Sequence, residues 1–233
     1  MGTKERHQRD REAVRRAILD TARDLFVSKG YENVSIRKIA DRIEYSPAAI
    51  YSYFPSKDDI FFALAEESVR LLRDCSVRSL DGLPVIERLR SIVLRLYRFS
   101  IEHPQYFALV FVDRTVPRIC CEYERFAFAR EMRQELIAEL ERAVDEGVLP
   151  RTTSPAAAFR ILTMGVLGVA VMRLSGRLTA EPADTLVNDV LNVTLVGLKT
   201  GIALGSDSKA CENKEDGVRE HHQGDRDHAH IRD

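Results

Sequence analysis

Glycine and proline are scarce in this chain, 12 and 8 of 233 residues, so it lacks the punctuation that strand-and-turn proteins require. Convincing alternation of apolar and polar residues is absent as well. Strong helix formers (alanine, leucine, arginine, glutamate) dominate instead, and this points to an all-α chain. Cysteine is sparse: Cys75, Cys120, Cys121 and Cys211 show neither zinc-finger spacing nor a neat pairing. They read as reduced thiols in a cytoplasm, with Cys120–Cys121 open to an oxidant-sensing reading as well as a structural one. A net charge of −1 provides no global basic field, so a polyanionic partner must be met by a local patch. The longest apolar run, Ile161 to Met172 between Arg160 and Arg173, falls short of the roughly 20 residues that cross a bilayer. It reads as a buried helix, with no membrane partner. Met1 to Arg16 is polar and carries no signal-peptide core.

Motifs for catalysis are missing too. There is no glycine-rich phosphate loop, no nucleophile elbow and no metal-ligand pair at helical spacing. His7 and His103 stand alone in sequence and read as surface or cap residues. No enzyme, cofactor or metal site is expected.

Helical periodicity organises what is present. Residues 1–10 read as a disordered charged arm, and a first helix runs from about Arg11 to Ser28 on Val14, Ile18, Leu25 and Phe26, ending at Gly30. Ser35 caps a short second helix to about residue 42, with Ile36, Ile39 and Ala40 inward. After a turn at 43–45, Ser46 caps a third, about 46–54, with Pro47 at its first position. Ser56, with Asp59 three residues on, opens a connecting helix toward Ser79, residues 57–82 forming the connecting unit. Asp81-Gly82-Leu83-Pro84 is the seam to a second unit, 83–204, with helices near 84–102, 104–113, 118–146, 154–175 and 181–204. From 205 to 233 apolar content collapses into a histidine-bearing tail, expected to be disordered.

Two short helices around a tight turn, after a longer one, meet the requirements of a helix-turn-helix DNA reader over residues 11–56. Ile50 and Phe54 supply the anchored face of the third helix, and Ala48, Ala49, Tyr51 and Ser52 lie on the other. The stretches Ala22-Arg-Asp-Leu-Phe-Val-Ser-Lys-Gly-Tyr31, Val34-Ser-Ile-Arg-Lys-Ile-Ala40 and Ser46-Pro-Ala-Ala-Ile-Tyr-Ser-Tyr-Phe-Pro-Ser-Lys57 together resemble the tetracycline-repressor (TetR) family. The resemblance covers about Arg15 to Glu66. Three departures stand out: Glu44 stands at the turn glycine, Tyr45 at a small aliphatic, and Ala48-Ala49 at a Gly-Thr pair. A non-glycine residue there must accept a strained turn.

The resemblance implies backbone contacts from Ser35, Arg37, Tyr51, Tyr53 and Lys57, with Lys38 and Ser46 nearby. Hydroxyl and cationic groups suit phosphate oxygens. Base readout falls to Pro47, Ala48, Ala49 and Ser52, favouring thymine methyls over bidentate hydrogen bonds. Tyr51 also reads as a packed aromatic, and one of Arg37 and Lys38 as a solvated charge.

For the second unit the resemblance implies a helical domain that binds an effector and dimerises through its last two helices. The stretch 156–174 is apolar around most of its circumference. Leu162, Gly165, Val166 and Val169 there, with Leu186, Val190, Val193 and Leu198, are the expected homodimer interface. The expected effector pocket, for an apolar or aromatic molecule, draws on Arg95, Tyr97, Arg98, His103, Phe107, Phe111, Tyr123, Phe126 and Met164. The expectation is a cytoplasmic, ligand-responsive regulator that releases a palindromic double-stranded DNA operator on effector binding. The alternative is a ligand-independent nucleoid or structural DNA-binding protein.

Overall fold

The computed structural model describes residues 3–75, 80–113, 115–116 and 127–201. Among them all regular structure is helical: α1 (Thr3–Lys29), α2 (Ile36–Arg42), α3 (Pro47–Tyr51), α4 (Lys57–Asp74), α5 (Val85–Glu102), α6 (Pro104–Phe107), α7 (Ala127–Asp145), α8 (Pro155–Leu174) and α9 (Ala180–Lys199). Residues 118–126 of the expected middle helix, the Cys120–Cys121 pair and the tail from 205 lie outside the described residues.

Local chemistry accounts for the first four helices. Ser35, Ser46 and Ser56 each sit in extended backbone and accept a hydrogen bond from the amide three residues on, Lys38, Ala49 and Asp59. Each bond satisfies one of the amides a helix start leaves orphaned. Gly30, at φ 79°, closes α1 in the left-handed region, where only glycine is unstrained.

Helix α1 begins at Thr3, not near Arg11, which corrects the expected disordered arm at 1–10. Residues 4–13 are exposed, so no buried apolar face orders them. Once the buried turns around Ile18 and Ala22 nucleate the helix, each further residue adds a hydrogen bond at little cost, and the Lys, Glu, Arg and Gln of this segment are good propagators.

Helix α3 is shorter than 46–54. The Tyr53 and Phe54 amides both bond the Ile50 carbonyl, at 2.9 and 3.0 Å, and this tight turn carries Phe54 into the core. After α6 the chain widens into a π-helical turn, Ala108–Val112, closed by the Asp113 amide on the Ala108 carbonyl at 2.9 Å.

Helices α2 and α3 pack in sequence after α1, and α4 lies against α1, α5, α6 and α7; α8 packs on α5, α7 and α9. One apolar core runs through both units, from Ile18 and Phe26 to Leu195 and Leu198. Burying each such side chain contributes about 1.5–3 kcal/mol. Helix α8 contains both Arg160 and Arg173 and, by length and composition alone, is long and apolar enough to cross a membrane. Its bounds agree with the helix expected near 154–175. Its Ala157, Leu162, Val166, Val169 and Ala170 are buried within the protomer.

Candidate functional site

The reader is built around α3. Ile50 is fully buried and Phe54 is 4% exposed, and the helix packs against α2. Ser46, Pro47, Ala48, Tyr51 and Ser52 face solvent, and Ala49 is half-buried. The N-terminal end of α3 and one of its sides are therefore free to meet another molecule.

The turn before α3 bears out the cost expected at Glu44. Glu44 has φ 59°, the sole non-glycine residue with positive φ among the described residues. The Ile43 amide bonds the Ile39 and Ala40 carbonyls, and the Tyr45 amide bonds Ala40 at 3.0 Å, so the turn forces residue 44 into the left-handed region.

The polar groups named from the sequence differ in their freedom. Arg37 is exposed, and no partner holds its guanidinium among the described residues. Lys38 instead donates from Nζ to the Asn33 carbonyl at 2.7 Å, folding its charge back onto the α1–α2 loop. Ser35 and Ser46 spend their hydroxyl oxygens as caps, and Ser52 donates to the Ala49 carbonyl at 2.7 Å. Tyr51 is 53% exposed, which excludes the packed-aromatic reading in the protomer. Tyr53 is half-buried under the Arg11 guanidinium, 5.7 Å from its ring centroid.

Lys57 is not a free cation. Its ammonium donates to the Tyr31 carbonyl at 3.0 Å and stands 4.0 Å from the Tyr31 ring centroid. Tyr31 in turn donates its hydroxyl to Asp58, and burial, with that bond, pushes its phenol above the usual range. Lys57 thus braces the start of α4 against the end of α1, a role the sequence did not suggest. Sequence reasoning also missed Arg11 and Arg15, whose guanidinium groups lie over the Tyr53 and Phe54 rings beside α3. Their spacing along one face of α1 was the available signal.

The reader is tied to the second unit by polar contacts. Arg16 of α1 donates to Asp20, to Glu67 of α4 and to the Tyr106 hydroxyl of α6. Its guanidinium holds the Asp20 carboxyl below the usual carboxylate range. Arg23 lies 5.2 Å from the Tyr106 ring centroid, and the Tyr31 amide donates to Asp113, just past the π-helical turn, at 3.3 Å.

The expected pocket residues are only partly brought together. Phe107 is buried, with the Phe111 ring 5.2 Å away and Phe99 beside both. Arg95 is buried between α5 and α7, donates to Glu135 at 3.1 Å and leaves its Nε without a partner among the described residues. Arg98 is half-buried on α5, and His103 occupies the α5–α6 corner with its ring near Phe99 and Tyr106. Tyr97 points elsewhere, donating to Asp184 of α9 at 2.6 Å and accepting from Arg173 of α8. Met164 is 58% exposed on the outside of α8, which corrects its placement in a pocket. Tyr123 and Phe126 lie outside the described residues.

The interface residues divide as well. Leu162, Val166, Val169 and Leu198 are 4% exposed or less, so they belong to the protomer's own core, a correction. Gly165 lets α8 approach α9: a Cβ there would lie 2.8 Å from Val190 Cγ1. Leu186 and Val193 are exposed, Val193 at 73%. With Ile161, Met164, Met172 and Val196 they leave apolar side chains on the outside of α8 and α9. One-dimensional periodicity could not choose between the apolar sides of α8, which is apolar around most of its circumference.

Comparison with known proteins agrees with this architecture. Residues 18–64 match the model of bacterial regulatory proteins of the tetR family, and residues 89–193 the tetracyclin repressor-like C-terminal domain, together well over half of the chain. The chain belongs to the TetR family. A TetR-family regulatory protein from Rhodococcus RHA1 superposes with a TM-score of 0.64 at 18% identity, covering 79% of this chain and 96% of that one. The fatty acid degradation regulator FadR from Bacillus halodurans gives 0.61 at 18% identity, covering 78% and 94%. At such identities these likenesses show the fold. An HTH-type transcriptional repressor from Mycobacterium tuberculosis is 42% identical over 71 residues, 30% of this chain and 37% of the relative. The repressor KstR of the same organism is 31% identical over 134 residues, 54% of this chain and 60% of the relative. The matched segments thus span between about a third and three-fifths of these TetR relatives' length.

Proposed function

We propose that this TetR-family chain is a homodimeric, cytoplasmic, ligand-responsive repressor that holds a palindromic operator through α3 and releases it when an effector occupies the helical domain. The observation that carries the reading is the exposure of Pro47, Ala48, Tyr51 and Ser52 on a helix whose Ile50 and Phe54 are sunk in the core. A short capped helix anchored on one side and bare at its N-terminal end suits the wide groove of B-form DNA. Arg37, Tyr51 and Tyr53 contact phosphates, with Ser35, Ser46 and Lys38 at the same edge. Lys57 acts there chiefly by positioning α4. Pro47, Ala48 and Ala49 read thymine methyls, and Ser52 lies beside them. Both Mycobacterium tuberculosis relatives carry the name of transcriptional repressor.

Dimerisation uses the outer sides of α8 and α9: Ile161, Met164 and Met172 against Leu186, Val193 and Val196. Apolar side chains left exposed on two adjoining helices favour burial against a second copy. The effector site lies among α5, α6 and α7, where the Phe99–Phe107–Phe111 cluster suits an apolar or aromatic molecule and Arg95 a polar end. Strain there reaches the reader through Tyr106, held by Arg16 and Arg23, and through Asp113 on the Tyr31 amide. The ligand acts only by its different affinity for the two states.

Selection of bound duplexes from a random pool tests the reading. An inverted repeat, its half-sites about one helical turn apart, is the expected product. A pool that shows no enrichment, or an enriched site without two-fold symmetry, counts against it.

A further inference from the structure

Away from the reader and the exposed apolar side chains, one cluster unites three different metal-ligating groups, the neighbours Glu102 and His103 with the remote Cys75. Cys75 is the C-cap of α4, Glu102 the last residue of α5, and His103 the residue shared by the end of α5 and the start of α6. One ligand atom from each lies within 4.8 Å of the other two. The Cys75 thiol donates to Glu102 Oε2 at 3.3 Å. Zinc bonds of about 2.3 Å to sulfur and 2.0–2.1 Å to nitrogen or oxygen place tetrahedral ligands about 3.3–3.6 Å apart. The sulfur–carboxylate edge, at 3.3 Å, is within about 0.3 Å of the sulfur–oxygen value. The edges to His103 are 4.8 Å or less, so side-chain rotation can close any remaining gap.

The surroundings suit an ion. The thiol side is closed, Cys75 being 3% exposed, whereas Glu102 is exposed and His103 half-buried, so the cluster opens to solvent on one side. No hydrogen bond uses the His103 ring nitrogens among the described residues, and Phe99 and Tyr106, at 5.5 and 6.4 Å between ring centroids, flank the ring. Of the neighbouring charges, Asp74 favours a cation and Arg98 opposes it. The carboxylate and a thiolate outweigh the latter.

We propose that Cys75, Glu102 and His103 form a site for a zinc-class divalent cation, with water as the fourth ligand. A mixed sulfur, nitrogen and oxygen donor set selects such an ion over magnesium or calcium. On binding, the Cys75 S–H bond breaks, a sulfur–metal bond forms, the proton leaves to the buffer, and Glu102 turns from hydrogen-bond acceptor to ligand. The ion links the end of α4, the end of α5 and the start of α6.

The test is a cobalt(II) titration of the full-length, reduced, metal-stripped protein. A thiolate-to-cobalt charge-transfer band and visible absorption of tetrahedral cobalt are expected, saturating at one ion per chain and bleached by zinc. Cys75→Ser should abolish the charge-transfer band, and Glu102→Gln, at an exposed position, should weaken binding at least about tenfold. Changing His221, His222, His228 and His230 together to Asn should leave both signals unchanged. Absence of the signals from the parent protein, their persistence in Glu102→Gln at parent affinity, or their loss with the tail histidines overturns the proposal. Should Cys75→Ser misfold, Glu102→Gln decides alone.

Discussion

Glu44→Gly should stabilise this protein, although it removes a side chain. An L-residue in the left-handed region costs about 1–2 kcal/mol relative to a relaxed backbone, and Glu44 sits there at φ 59°. Glycine removes that strain but gives the unfolded chain more freedom, worth about 0.5–1 kcal/mol against folding. The net gain is about 0.5–1 kcal/mol. For a chain of this size each kcal/mol moves Tm by roughly 2–4 °C, so the midpoint should rise by roughly 1–4 °C in a thermal melt followed by circular dichroism. Glu44→Asn should fall between, since asparagine tolerates this region better than glutamate, and Glu44→Val should lower the midpoint. The hydrogen bonds of Ile43 and Tyr45 to Ile39 and Ala40 leave the turn no relaxed alternative. A midpoint lowered by glycine, or raised by valine, would refute the reasoning.

Other consequences can be checked as simply. Val193→Asp, at a position 73% exposed in the protomer, should leave helicity unchanged while weakening the dimer at least about a hundredfold, since an unpaired buried charge costs several kcal/mol; light scattering showing an intact dimer at low concentration counts against the interface. Arg37→Ala should flatten the salt dependence of DNA affinity by about one unit of slope without changing Tm. Lys57→Ala, by contrast, should also lower Tm, because a cation–π contact of about 0.5–2 kcal/mol is lost with the bond to the Tyr31 carbonyl. Asp20→Asn should cost about 1 kcal/mol or less at pH 7, the range for a partly exposed ion pair. Arg16 depresses the Asp20 carboxyl, so the stabilisation is complete above the unfolded-state value near 4 and disappears as pH falls through the lower folded value. Melts of both proteins across acid pH should therefore converge; a difference that persists fully at the acid end contradicts the ion-pair account.

Much of the fold was legible because its signals are local. Each serine cap is decided within three residues, and each buried face repeats at helical spacing, so Ser35, Ser46 and Ser56 could be placed from the sequence. The strain at Glu44 was legible for the same reason. What escaped depends on distant partners. Lys57 reads as a free cation until α1 brings the Tyr31 ring beneath it. Leu162 and Val166 read as interface because α8 is apolar around most of its circumference, and only its contacts with α5, α7 and α9 decide which side the protomer keeps. His103 reads as solitary until the end of α4 delivers Cys75. The extent of α1 escaped for another reason. Its first turns are exposed, so their order comes from helix propagation rather than from any apolar pattern.

The central claim is that the N-terminal end of α3 enters the major groove, and Ala48→Glu tests it most directly. Ala48 is exposed in the first turn of α3, where a carboxylate favours the helix dipole and so spares the fold. In the groove the same charge faces phosphates, and like-charge juxtaposition costs several kcal/mol. Fluorescence anisotropy on the selected duplex should show affinity lowered at least about a hundredfold, with Tm and dimer unchanged. Undiminished binding by that folded variant would place the DNA elsewhere.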